Sequence, residues 1–186
     1  MNIRIKSAAI ILATLSSATA TASTLTTDIS NDAFKVEIAT GNFAKDTHFA
    51  ASAMHNDDTD VNLFTGTAAV VGNISRQPNF TAGLGGRLYY ADTNGDDMQA
   101  LGLGGFAKYR IPEIQGLSLQ GELFYAPGIV ASDELDNQFE LGLRANYQLL
   151  PNGAVYAGYR HIKADIENGG EFVLDNGFHL GFEFSF

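Results

Sequence analysis

Cysteine and tryptophan are absent from this chain of 186 residues, and proline occurs only four times. Without cysteine there can be no disulfide, no thiolate metal site and no cysteine nucleophile. Positive charge is scarce: 11 Lys+Arg stand against 21 Asp+Glu, a formal net charge of −10. That balance excludes the basic face that a nucleic-acid backbone requires. Beyond the first segment no long apolar run occurs, so no helix spans a membrane. What is plentiful is Gly, with 20 residues, and Phe, with 13. A disordered acidic chain lacks such aromatics. The length fits one folded domain.

Residues 1–22 read as a secretory signal peptide. Arg4 and Lys6 form a basic start, Ser7 to Leu15 a short apolar run, and Ala20-Thr21-Ala22 an A-x-A cleavage site. The run is well short of the roughly 20 residues of a spanning helix. The mature protein is therefore exported.

In the mature chain the recurring period is two. Leu117, Leu119, Leu123 and Tyr125 alternate with polar residues, as do Phe139 through Leu149, and as do Phe178, Leu180, Phe182, Phe184 and Phe186. This is the signature of strands with one apolar and one polar face. Noisier runs of the same kind are Val61–Gly72, Phe80–Tyr90, Ala100–Arg110 and Ala154–Lys163. They are long for a soluble sheet but match the roughly 9–11 residues that a tilted strand needs to cross hydrocarbon. A soluble sandwich would also not place charges mid-strand on the face opposite the apolar one. The pattern predicts a transmembrane barrel.

The linkers alternate in character. Those at 54–60, 91–98, 126–136 and 164–176 are loose and acidic, whereas 73–79, 111–116 and 149–153 carry turn residues and one acid, Glu113. Short periplasmic turns and longer outer loops are the rule for outer-membrane barrels, with an even strand count. Seven strands from Val61 onward, preceded by one near 43–54, predict an eight-stranded antiparallel up-and-down barrel over 43–186. Residues 23–42 then form an N-terminal segment of uncertain structure, in which Phe34–Thr40 is either part of a kinked first strand or a piece that does not span. Aromatic belts are expected at both interfaces, with Phe80, Tyr109, Tyr147 and Phe186 below and Tyr90, Tyr125, Phe139 and Phe178 above.

Six stretches carry a family resemblance: AMHNDDTDVNLF, GLGGRLYYAD, ALGLGGFAKYRIP, GELFYAP, YQLLPNGAVYAGYRHI and HLGFEFSF. Together, from about Ala53 to Phe186, they resemble the YfaZ family of predicted outer-membrane proteins. The terminal Phe186 on a Phe-alternating strand looks like the signal that barrel assembly machinery reads. The resemblance implies a small integral barrel in the outer membrane of a Gram-negative bacterium, in contact with lipid and lipopolysaccharide. It brings no activity and no catalytic residue. A monomer without cofactor is expected.

Catalytic chemistry has little support. His48, His55, His161 and His179 are the only histidines, and no serine stands within two residues of His161. Asp92-Thr93-Asn94-Gly95-Asp96-Asp97 superficially resembles a calcium loop, but its Gly is misplaced and no Glu follows at the required spacing. Asp57, Asp58, Asp92, Asp96 and Asp97 are at most weak cation ligands, and no metal site is expected. The loop acids as a set, from Asp57 to Asp175, are expected to sit outside the cell, mobile and mutually repelling. Gly83–Arg87 and Gly102–Gly105 are not phosphate loops, since neither opens a helix. Their glycines make room for long side chains inside a barrel.

With Leu, Phe and Tyr facing lipid, the inward charges are Arg87, Lys108, Arg110, Glu122, Glu140, Arg144, Arg160 and Glu183. An unpaired ion in such an interior is costly, so these must pair. Glu122 with Arg144 is the expected pair, and Phe106 and Phe124 fall on the same face. The interior thus reads as a salt-bridged plug. The function expected is a structural or surface-interaction role, not an enzyme. The alternatives are a narrow porin or channel and a lipid-A-modifying enzyme.

Overall fold

Alternation of side chains across ten antiparallel strands builds the protein, seen in a computed structural model that describes residues 23–40, 47–73, 78–93, 97–131, 135–166 and 170–186. The strands are β1 (Ser23–Ile29), β2 (Ala33–Thr40), β3 (Thr47–Asn56), β4 (Val61–Asn73) and β5 (Phe80–Asp92). They continue with β6 (Met98–Arg110), β7 (Leu117–Pro127), β8 (Leu135–Leu150), β9 (Gly153–Ile166) and β10 (Gly170–Ser185). Each pairs with its sequence neighbour, and β1 pairs with β10 to close the barrel. Closure leaves no lateral sheet edge to seek a partner in lipid.

The count corrects the expected eight to ten. Residues 23–40 are two strands of the barrel, neither a kinked first strand nor a detached segment. β1 escapes a sequence reading because it is short, 7 residues, and three of them are threonine, while β2, 8 residues, shows only as the strand-like run Phe34–Thr40. Yet the period holds: Leu25, Ile29 and Phe34 face outward and exposed, while Thr26 and Asp28 are buried inside. The tight turn between them is held by Ser30, whose N–H donates to the Ala33 carbonyl (2.8 Å) and whose Oγ accepts from the Ala33 N–H (2.9 Å). The signal segment 1–22 lies outside the described residues.

The seven strands from Val61 onward lie where alternation placed them, and the strand expected near 43–54 is β3, but several run further. The stretch 164–176, read as a loop, is mostly a hairpin in which β9 reaches Ile166 and β10 restarts at Gly170. The acidic end of the barrel is thus largely extended sheet, and most of its connections are as short as those at the other end. The first described strand begins and the last strand ends at that other end, since Thr24 pairs with Ser185. An even-stranded outer-membrane barrel keeps its termini in the periplasm, so the acidic hairpins face outward.

Outside, the wall is apolar. Leu84 is 75 % exposed and Phe178 82 %, with Leu88, Leu103, Leu123, Leu143 and Leu180 beside them on the same surface. A belt that wide is untenable in water and natural in hydrocarbon. The expected belt residues Tyr90, Tyr125, Tyr109, Tyr147 and Phe186 all face outward, and Phe186 stacks on Phe184 with ring centroids 6.2 Å apart.

Candidate functional site: the barrel interior

The inward face is stacked in three layers along the axis. Nearest the outer surface is an apolar plug of Met54, Val61, Leu63, Met98, Phe124, Leu135, Ile162 and Leu174, all buried, with Phe172 packed against it. Phe124 is 0 % exposed. A register shift in β10 between Val173 and Asp175 turns both Leu174 and Asp175 inward, as β-bulges re-aim side chains. The Asn56 Nδ2 then donates to the Leu174 carbonyl (3.1 Å), tying the tops of β3 and β10 across the mouth. Asn56 also turns the chain into the 57–60 loop, its Oδ1 accepting from the N–H groups of Asp58 (3.0 Å) and Thr59 (3.1 Å).

Beneath the plug lies a charged layer built on two arginines. Arg87 of β5 donates to Thr67 Oγ1 (2.9 Å), Glu140 Oε1 (2.7 Å) and Glu122 Oε2 (2.8 Å), and its guanidinium lies 4.1 Å from the Phe124 ring centre. Tyr89 Oη donates to the other Glu140 oxygen at 2.6 Å. Arg160 of β9 donates through Nε to Asp175 (2.5 Å) and through Nη1 to Asp28 (3.1 Å), and Tyr156 Oη also donates to Asp28 (3.1 Å). Lys35 and Glu37, two apart on β2, pair at 3.0 Å. Charges so enclosed need these partners, because each lost partner strands a charge. The free space among them is about 40 Å³, enough for no more than about three waters.

The third layer faces the periplasm. Arg144 donates to Gln120 Oε1 (2.9 Å) and Glu183 Oε2 (3.0 Å), and Lys108 stands 3.8 Å from the same carboxylate. Below them a cavity of about 370 Å³ opens between the 111–116 and 151–152 turns, with Arg110, Ser118, Asn146 and Gln148 in its wall.

All eight charges expected inside line this lumen, but the expected Glu122–Arg144 pair does not form. Glu122 turns up to Arg87, whereas Arg144 faces Gln120 directly across the β7–β8 ladder and reaches Glu183 on β10. The sequence reading missed Asp28, Lys35 and Glu37 because β1 and β2 were not assigned to the wall. It missed Asp175 because Asp175-Asn176-Gly177 looks like a turn. Tyr89 and Tyr156, which the sequence reading did not single out, also point inward as hydrogen-bond donors. The glycine reading holds at Gly83, where an added Cβ would stand 2.5 Å from the Phe106 ring.

The loop acids do not assemble into a site. Asp57 pairs with His55 (3.0 Å), Asp97 accepts from Tyr90 Oη (2.7 Å), and Asp58 and Asp92 are part of local turns and strand ends. Asp96 lies outside the described residues. Among the described residues, no group of three or more His or acidic side chains is placed to hold a metal ion. On the outer β9–β10 hairpin, the hydrogen bond from Lys163 to Glu171 (2.7 Å) raises the lysine pKa.

No curated protein matches this chain. Among solved structures it is similar to the outer-membrane channel DcaP of Acinetobacter baumannii, with a TM-score of 0.48 and 12% identity over 87% of this chain and 54% of DcaP. The chain thus spans about half of DcaP's length. It is also similar to the KdgM porin, with a TM-score of 0.46 and 12% identity over 89% of this chain and 99% of that one. The same porin in complex with disordered oligogalacturonate gives 0.47 and 13%, with the same coverage. A family model described as YfaZ precursor matches residues 2–186. With a closed barrel, an apolar outer wall and a match over nearly its whole length, the chain belongs to the YfaZ family and is a protein of the outer membrane.

Proposed function

We propose that the protein works as a non-conducting outer-membrane barrel, with a structural or surface-interaction role carried by its wall and its acidic outer hairpins. The observation behind this reading is the apolar plug, from Met54 to Leu174, with the ion-paired charge layer beneath it. Ten strands enclose more space than eight, yet side chains fill the outer and middle thirds. The role is non-enzymatic, so lipid A from cells with and without the protein should have identical mass spectra. Liposome swelling tests the central point: vesicles loaded with the protein should swell in monosaccharide solutions no faster than empty ones. Faster swelling would favour a narrow channel, the second reading, which draws on the cavity already open to the periplasm.

A further inference from the structure

We propose that the periplasmic third of the lumen is a binding site for a small hydroxylated phosphomonoester, held by Lys108, Arg110 and the side-chain amide of Asn146. The inference goes beyond the non-conducting role and rests on it for the closed upper end of the cavity.

Three observations meet in one cavity. The first is charge. Lys108 and Arg110 line the cavity with a single carboxylate, Glu183, which Arg144 engages from the layer above at 3.0 Å. Lys108 is 3.8 Å from that carboxylate, and Arg110 at the rim forms no ion pair among the described residues. In a chain whose formal net charge is −10, a pocket lined by two cations and one carboxylate is set apart from its surroundings. An anionic ligand is favoured there, and a guanidinium beside an ammonium suits phosphate oxygens.

The second observation is the Asn146 amide. The residue is 2 % exposed, lines the cavity, and leaves both Nδ2 and Oδ1 without a hydrogen-bond partner. A buried amide with both ends unpaired is costly. A ligand hydroxyl, which donates one hydrogen bond and accepts others, satisfies both ends. Ser118 faces Asn146 directly across the β7–β8 ladder, and its hydroxyl offers a further partner to the same ligand.

The third is shape. At about 370 Å³, the cavity lies in the lower part of the roughly 300–1,000 Å³ range of small-molecule sites. It is blind, because the charge layer and the plug close it above. A ligand enters and leaves through the periplasmic mouth. The strand wall separates this space from the bilayer, which favours a water-soluble phosphomonoester over a lipid headgroup.

The test is isothermal titration of the full mature barrel in a non-ionic detergent, with glycerol 3-phosphate and glucose 6-phosphate as probes. Glycerol, glucose and inorganic phosphate serve as the dissected halves. Both phosphomonoesters should bind, and each half should bind at least about tenfold more weakly, the worth of one charge-assisted contact. Arg110→Gln, at the exposed rim where the fold does not depend on it, should weaken glycerol 3-phosphate by about tenfold or more. Asn146→Asp, checked for an intact barrel by its gel shift, should do the same by setting a carboxylate against the dianion. Equal binding of glycerol and glycerol 3-phosphate, or unchanged affinity in Arg110→Gln, would overturn the proposal. So would inorganic phosphate binding as tightly as its esters, which would leave anion trapping alone. Loss of binding when phosphatidylglycerol is added to the micelles would overturn the soluble ligand in favour of a headgroup.

Discussion

Replacing Arg87 with methionine removes the hub of the middle layer while roughly keeping its bulk. Arg87 is 4 % exposed and Glu140 2 %, and Glu122 and Glu140 reach the same guanidinium at 2.8 and 2.7 Å. Breaking a buried pair by removing one partner costs about 3–5 kcal/mol. Arg87→Met strands two carboxylates side by side, so the loss belongs at the upper end, about 5 kcal/mol. Glu140→Gln is milder, at about 1–3 kcal/mol, because the amide oxygen still accepts from Tyr89 and Arg87 keeps Glu122. The double variant should be more stable than the sum of the two losses by about 0.5–3 kcal/mol, since one stranded charge has been removed with its partner. The chain has no tryptophan, so unfolding in urea is best followed by circular dichroism and by the heat-dependent shift on SDS gels. Additive losses, or a cost for Arg87→Met below about 1 kcal/mol, the range of an exposed pair, would refute the reasoning.

The seam that closes ten strands can be tested covalently, because no native cysteine interferes. Leu25→Cys with Phe184→Cys, directly opposed on β1 and β10, should form a disulfide on mild oxidation, and a barrel that excluded residues 23–40 would leave both thiols free. The two acids Asp175 and Asp165 should behave oppositely. Asp175→Ala takes a partner from Arg160 and should cost about 3–5 kcal/mol, while Asp165→Asn on the solvent side should change stability by less than about 0.5 kcal/mol. Gly83→Leu should destabilise the barrel by driving a side chain into Phe106, and Phe106→Ala should recover much of that loss in the double variant. Melting midpoints in detergent would measure both effects.

Much of the wall was legible in the sequence because a two-residue period survives noise over ten or more positions. β4 through β10 needed only that period and the turn residues between them. β1 was illegible, and β2 was visible only as the run Phe34–Thr40 without a place in the wall, for a physical reason. Their outward positions need only be less polar than their inward ones, and Thr27 beside Leu25 meets that demand without looking apolar. Inside, the identity of the charges could be read from parity, but their partners could not. Arg87 on β5 finds Glu140 on β8 across the lumen, and Asp28 finds Arg160 across the closing seam. Such contacts depend on barrel radius and strand stagger, which local alternation does not encode. The periplasmic cavity was hidden for the same reason, since Arg110, Asn146 and Glu183 meet only after closure.

The central claim is that side chains fill the lumen from the outer mouth to its middle. Planar-bilayer recording of the purified barrel tests it most directly, beside a variant in which Phe124→Ala and Leu174→Ala hollow the plug. The native protein should insert without unitary current steps, and the plug variant should conduct more than the native protein. Stable, ohmic steps from the native barrel, unchanged in the plug variant, would contradict the account.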